Sequence, residues 1–409
     1  MTARRDIVVT GIGAVTPLGD DLATTWDALL SGRDAQAPLK LFDTSGCRCH
    51  TAATCTIPPL PDLPAKLVQR FARTSRLALP AAREALAQAG LLDAELRLTR
   101  REMPVSVSTT SGGMGFAEDF VRRVLTGRRR RLFSQVARYL PQQQVLDLQQ
   151  TLGFRGHTQV IANACASGAN SIGHAADLIG SGAADCVLTG GFEALTELVF
   201  VGFDCLQATT TEKCRPFDLH RSGLMIGEAA AFLVLESREH AVQRGARVLC
   251  RLTGYGHTTD VFHLTQPQPE GAALVNVMAA ASEQAGVTPG DIGYVNAHGT
   301  ATQTNDGVEA KAYAAFFGDA LEHTRISSTK AAVGHTLGAA GSLEALFAIH
   351  ALRTGALPPQ LNIREAVPEV APVLAMTGES RPDLRHVMSV NLGFGGSNAA
   401  LVFSRDDET

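Results

Sequence analysis

Short apolar runs alternate along this chain with longer stretches in which apolar residues recur every three or four positions. "DIVVTGIGAV" runs into the turn signal "TPLG", and "MPVSVSTTSGG", "TQVIANA", "ADCVLTGGFEA" and "AAAFLVLE" are runs too short for helices, so each predicts a buried strand. Between them "TSRLALPAAREALAQAG" has a helical period closed by Gly90. The stretch "ASGANSIGHAADLIGSG" carries an apolar stripe of Ile172, Ala175, Ala176 and Ile179. Near residue 250 the pattern begins again. Helix "GAALVNVMAAASEQAG", strand "IGYVNAHG", helix "DGVEAKAYAAFFG" and "RISSTKAAVGH" follow one another, and "HVMSVNLGFGGSNAALVF" sets two apolar runs around a glycine turn. Such alternation predicts an α/β fold with largely buried sheets. The restart predicts two similar halves, 1–250 and 251–409, although their residue identity is too low to establish a repeat by itself.

Composition narrows the classes. With 409 residues, 45% hydrophobic and 19% charged, the chain is long enough for one large core or two fused domains and is not of disordered composition. A net charge of −4 gives no case for binding nucleic acid or membrane. The start "MTARRDIVVTGIG" has no signal-peptide h-region, and "AAAFLVL" is far short of a membrane span, so a cytoplasmic location is expected. Eight scattered cysteines then read as reduced thiols. Cys47, Cys49, His50 and Cys55 crowd into "CRCHTAATC", but a zinc site ordinarily takes two separated ligand pairs, which favours structural cysteines and no metal. "VRRVLTGRRRRLFSQV" concentrates Arg122, Arg123 and Arg128 to Arg131; it is either a solvated basic loop or a docking patch for an acidic partner.

The candidate chemistry starts at "IANACASG". Cys165 falls between a predicted strand and a predicted helix, where the N–H groups and dipole of a helix start favour a thiolate and lower a thiol's pKa. The other reading is a buried structural cysteine. His298 in "VNAHGTATQTND" and His335 in "STKAAVGHTLGAAG" each follow a strand-like run among Gly, Ala and Thr. Neither has an adjacent carboxylate, so both are expected to stay neutral and act as N–H donors.

Five motifs, "NACASG", "RPFDLHRSGLMIGEAAAFLVLE", "VNAHGTAT", "KAAVGHTLGAAG" and "NLGFGGSNAALVF", resemble those of the β-ketoacyl-[acyl-carrier-protein] synthases, condensing enzymes of the thiolase superfamily. They span nearly the whole chain in that family's order. The Cys-His-His set is similar to the elongating type; initiating synthases use Cys-His-Asn, and thiolases use a second cysteine. The resemblance implies a thiolase-like fold, two halves in a five-layered αβαβα arrangement, with Cys165 in the first half and both histidines in the second.

It further implies a reaction. Cys165 would take an acyl group from the phosphopantetheine arm of an acyl carrier protein; malonyl-carrier would then lose CO2 and attack the acyl-enzyme. His298 and His335 would donate to the enolate oxygen, with acid–base catalysis by these rings as the rival description. The backbone N–H groups of Cys165 and Phe394 would hold the second oxyanion. Lys330 matches the family's lysine beside these histidines, and Phe394 its gating phenylalanine, with Gly393, Gly395 and Gly396 giving freedom to swing. Thr300 and Thr302 match hydroxyls that bind the pantetheine amides. Glu309 matches a glutamate that orders the site, or is simply an exposed first-turn acid. No cofactor is implied beyond the carrier's arm. The partners implied are an acidic carrier protein, docked by Arg129 and Arg130 with Lys66 and Arg70 as further candidates, and a second subunit, either an identical chain or a chain-length factor. One departure stands out: Ser111 in "TTSGGMG" replaces a bulky aliphatic residue, which would open or polarise the acyl pocket. A type II polyketide or polyene ketosynthase is therefore the second reading. A non-catalytic partner subunit, which would lack the nucleophile, is a remote third.

Overall fold

A computed structural model describes residues 5–127 and 133–406. Its first five long strands are β1 (Ile7–Val15), β2 (Val105–Ser108), β3 (Thr158–Ile161), β4 (Cys186–Glu193) and β5 (Ala229–Ser237). The next five are β6 (Cys250–Thr259), β7 (Ile292–Asn296), β8 (Arg325–Ser327), β9 (His386–Leu392) and β10 (Ser397–Ser404). They lie side by side in the order β8-β7-β9-β10-β6-β1-β5-β4-β2-β3. Counted outward from the centre, each half visits its strands as first, fifth, fourth, second, third. The senses repeat too. β1–β5 and β5–β4 are antiparallel while β4–β2 and β2–β3 are parallel, and β6–β10, β10–β9, β9–β7 and β7–β8 follow suit. The halves meet where Val8 and Val9 pair with Arg251 and Cys250. Topology therefore carries a repeat that residue identity does not.

Glycines set the layers. Helix α1 (Arg73–Gln88) lies so close to β1 that a Cβ on Gly11 would sit 2.0 Å from the Ala85 carbonyl oxygen. In the second half, α3 (Ala272–Ala285) crosses β6, and a Cβ on Gly254 would sit 2.1 Å from the Ala281 carbonyl oxygen. Between the five strands of the first half, β1 to β5 (the first sheet), and those of the second, β6 to β10 (the second sheet), run α2 (Ser167–Gly180) and α5 (Ala340–Thr354), in contact through Gly168 and Gly341. The layers are thus α1, first sheet, α2 with α5, second sheet, α3. This is the thiolase-like arrangement. Ile172, Ala176 and Ile179 of α2 join Leu343, Leu346, Phe347 and Ile349 of α5 in the central core. Because α5 is covered on every side from Ala340 to Ile349, its apolar residues do not keep to one stripe.

Two strands depart from the buried expectation. β3 is the end of the row, with Thr158 and Gln159 exposed and Val160 and Ile161 half-buried. β6 alternates, with Cys250 and Leu252 in the central core and, past a register shift, Gly254 and Gly256 against α3. No helix among the described residues is long and apolar enough to cross a membrane.

The glycine contacts yield a stability test. Gly254→Val forces its branched Cβ onto the α3 backbone and should lower the unfolding free energy by about 3 kcal/mol or prevent folding. Gly286→Ala, in open space at φ +67°, should cost only about 1 kcal/mol. Urea melts of the two variants at equal slope measure the contrast.

Candidate active site

The repeat explains where reactive groups collect. α2 and α5 are equivalent helices, and each is entered through one turn of 3-10 helix, Ala164–Ala166 and Leu337–Ala339. Ala164 and Leu337 both take left-handed backbone angles, φ +58° and +50°. Cys165 stands on the first turn and His335 just before the second. As α2 and α5 pack together, Cys165 Sγ comes 3.0 Å from His335 Nε2.

Cys165 is a buried thiol whose pKa is pushed up to about 11, chiefly by burial. The charge of Lys330 and the backbone N–H groups of Phe394 and Cys165, both aimed at the sulfur, work in the opposite direction. This corrects the expectation of a lowered thiol pKa. The helix start does favour the anion, but removal from water outweighs it.

Both histidines have pKa values well below the ordinary range, from burial first and then from the Lys330 charge. They are neutral, as expected. His335 Nδ1 accepts the Leu337 N–H at 3.3 Å, so its proton is on Nε2, facing the sulfur. His298 Nδ1 is 3.4 Å from Lys330 Nζ, an obligate donor, which puts that ring's proton on Nε2 as well. The two rings stand edge to face, centroids 5.4 Å apart. Lys330 also donates to the His298 carbonyl at 2.6 Å and to the buried Glu344 carboxylate. The other oxygen of Glu344 accepts from Asn391 Nδ2 at 2.5 Å.

α4 (Asn305–Phe317) holds the His298 loop from beneath. Glu309 accepts the N–H groups of His298 and Gly299, each at 2.7 Å, and the Tyr313 hydroxyl at 2.6 Å. Burial pushes its carboxyl up to about 7. It is fully buried, not an exposed first-turn acid, and it positions the loop from outside the cavity instead of lining it. Asp306 does the same for Ala301, whose φ is +67°.

A cavity of about 490 Å³ opens over Cys165, His298 and His335, with Thr300, Thr302 and Phe394 in its wall. The threonine hydroxyls are 2.9 Å apart. The Phe394 ring packs 5.8 Å from that of Phe203. Gly395 is exposed at φ +81° and donates to the Leu264 carbonyl at 2.7 Å. Ser111 is not on this wall. Its hydroxyl is bound to the buried carboxylate of Glu193, which also takes the N–H groups of Thr110 and Gly338. The hydroxyl is thus held by Glu193 and is not turned into this cavity.

Arg129 and Arg130 lie outside the described residues. Lys66 and Arg70 are exposed on and just after the short helix Ala65–Val68, away from the cavity wall. Arg122 and Arg123 pair with Glu197 and Asp119. Arg48, which sequence reasoning missed, lines the cavity rim with its backbone N–H held by Asp204 at 2.8 Å. Glu344, Asn391 and Tyr313 were missed as well; Asn391 opens the motif "NLGFGGSNAALVF" but carries no reactive group that would single it out, and no motif marks the other two. In the cysteine loop, Cys49 Sγ turns to the Thr51 carbonyl and Cys55 Sγ to the Glu228 carbonyl, and no metal-binding group forms among the described residues.

The N-terminal domain of the Beta-ketoacyl synthase family matches residues 4–241, and its C-terminal domain matches residues 249–364. The chain belongs to the beta-ketoacyl synthase family. It is thereby a condensing enzyme of the acyltransferase type. A 3-oxoacyl-[acyl-carrier-protein] synthase 2 of Staphylococcus aureus (strain COL) is 36% identical, covering 99% of both chains. A beta-ketoacyl synthase from Burkholderia phymatum STM815 superposes with a TM-score of 0.89 at 35% identity, over 98% of this chain and 100% of that one. The ishigamide ketosynthase/chain length factor also reaches 0.89, at 31% identity over 99% and 100%.

The thiol's environment is testable. With its pKa near 11, Cys165 should be alkylated by iodoacetamide at a rate that rises about tenfold per pH unit from neutrality to pH 9.5 without a plateau, read by mass spectrometry. A plateau below pH 8 would show a thiolate already formed in the resting synthase.

Proposed function

We propose that this synthase elongates acyl chains by decarboxylative Claisen condensation of an acyl-carrier thioester with malonyl-carrier. The observation that carries the proposal is the convergence on one sulfur of the His335 Nε2–H and the backbone N–H groups of Cys165 and Phe394. Cys165 Sγ attacks the thioester carbon, its proton passes to the departing carrier thiolate, and an acyl-Cys165 thioester remains. The two backbone N–H groups receive the carbonyl oxygen as it becomes an oxyanion. Malonyl-carrier then enters, with its arm lying along Thr300 and Thr302. Breaking its C–CO2 bond leaves the electron pair as an enolate, whose oxygen accepts from His298 and His335. That carbon attacks the acyl-Cys165 carbonyl, the C–S bond breaks with Cys165 leaving as thiolate, and the sulfur takes a proton from solvent; the products are 3-oxoacyl-carrier, CO2 and the free thiol.

Neutral rings with Nε2–H suit donation better than general-base catalysis, because a ring that keeps its proton on the reacting side has no lone pair there. A donor of this kind is worth about 10²–10³ in rate. A resting thiol at pKa near 11 is compatible with this role if attack is concerted with proton transfer and the forming oxyanion is held by preorganised donors.

A second reading, ketosynthase of a type II polyketide or polyene system acting beside a chain-length factor, draws on the likeness to the ishigamide protein. The remote third reading, a non-catalytic subunit, conflicts with the retained Cys165, His298 and His335. In either active reading a second subunit would sit at β3, whose outer edge pairs with no strand among the described residues.

Intact mass after incubation with acyl-carrier proteins tests the reaction. Loading by saturated chains, absent in Cys165→Ala, supports elongation; preference for conjugated polyenes favours the second reading; no loading with either set contradicts both. Reversing Arg129 and Arg130 to Glu should raise KM for carrier about tenfold with little change in kcat. An unchanged KM would return that cluster to a solvated loop.

A further inference from the structure

The two N–H groups that would receive the acyl oxygen belong to turns far apart in sequence. One is the nucleophile turn after β3; the other is the glycine turn between β9 and β10. No covalent link holds them in register, and their donor spacing must be kept within a fraction of an ångström to be effective. A group of side chains outside the catalytic set spans the gap.

Ser397, which closes the glycine turn, sits between two asparagines that flank Cys165. Its Oγ accepts from Asn163 Nδ2 at 2.9 Å and from Asn170 Nδ2 at 3.3 Å. Asn170 is 5% exposed, one turn into α2. On its other side its Oδ1 accepts the Tyr255 hydroxyl of β6 at 2.9 Å. Tyr255 is seated over Gly173 of α2, where a Cβ would lie 2.3 Å from its ring. Burial raises the phenol to about 12, so it remains a donor throughout the working range. The serine's own proton is left for His257 Nε2, 3.5 Å away. At both ends the clamp is tied into backbone: Asn163 N–H donates to Ser167 Oγ at 2.8 Å, and Gly393 N–H to the Ser397 carbonyl at 2.7 Å. Where the turns touch, a Cβ on Gly393 would lie 3.3 Å from both Ala166 N and the Asn163 carbonyl oxygen.

We propose that Asn163, Asn170, Tyr255 and Ser397 form a positioning clamp that sets the separation of the Cys165 and Phe394 N–H donors. The proposal rests on the condensing reading and adds four positioning residues to it. Two features favour this over a merely structural cluster. The serine hydroxyl bridges both sides of the nucleophile, and the turn it anchors begins with the residue whose N–H is a donor. The histidine pair is held separately, by Lys330, Glu309 and the Leu337 N–H, so the clamp bears on acyl transfer and not on decarboxylation.

The experiment measures two rates on each variant: self-acylation of Cys165 from an acyl-carrier protein, and CO2 release from malonyl-carrier protein without an acyl donor. Ser397→Ala should slow acylation about 10–100-fold while CO2 release falls less than about threefold. Ser397→Thr, which restores the hydroxyl, should recover most of the acylation rate. Tyr255→Phe removes one oxygen atom and keeps the ring over Gly173; it should slow acylation about fivefold and serves if Ser397→Ala does not fold. Equal losses in both rates, or acylation unchanged in Ser397→Ala and Tyr255→Phe, would overturn the clamp while leaving the condensing reading intact. A wild-type protein that takes up no acyl group would overturn that reading, and the clamp's role with it.

Discussion

One buried cation organises this site. Lys330 is 1% exposed, and its ammonium is shared between Glu344 of α5, the His298 carbonyl and His298 Nδ1. An unpaired ammonium at that depth would lose its proton or unfold its surroundings, so Glu344 and the Asn391 amide behind it are part of the same requirement. Removing one member leaves the other charge uncompensated, at a cost of about 3–5 kcal/mol. From this place Lys330 acts on three titrations at once. It adds to burial in keeping His298 and His335 neutral, and it draws the Cys165 thiol down from where burial alone would put it.

The fold supplies the setting by repetition. Two equivalent strand–turn–helix passages bring α2 and α5 side by side, each entered through a left-handed residue and a 3-10 turn. The first passage carries the nucleophile among small residues that leave room for an acyl thioester. The second carries His335 and, one turn into α5, the carboxylate that holds Lys330. Duplication gives the geometry, and divergence at the two turns gives the chemistry. His298 and Phe394 come from neighbouring strand ends of the second sheet, which is why the cavity opens where the halves meet.

Much of this was legible in the residues. Most of the ten long strands stand at the short apolar runs, though none of those runs marked β6; Gly90 does close α1, and Cys165, His298 and His335 announce themselves by their settings among small residues. What was hidden depends on distances across the fold. Glu344 lies inside "GSLEALFAIH", a stretch that reads as plain helix, and only packing brings it to Lys330. Glu309 is marked only by the resemblance, as a glutamate that orders the site; its residue pattern alone also allows a surface acid, and α4 lying under the His298 loop decides between them. Ser111 was judged from its place in a motif, but its hydroxyl is taken by Glu193, more than eighty residues further on. The thiol's pKa was inferred from the helix start alone, and the water-free surroundings that reverse it cannot be read from one turn. The strand order repeats perfectly while the residues do not, because a repeat needs only glycines where helices cross and apolar residues between.

The most direct test of this account is the protonation of the two imidazoles, read by 15N-edited NMR of selectively labelled histidine across about pH 5 to 8. It predicts that His298 and His335 stay neutral with the proton on Nε2 throughout, and that in Lys330→Met the His298 ring, no longer faced at Nδ1 by the ammonium, loses its single Nε2–H tautomer. Imidazolium signals from either ring in the wild-type protein near pH 6, or a Lys330→Met spectrum that does not differ from wild type, would contradict the claim that the buried lysine sets the chemistry of the site.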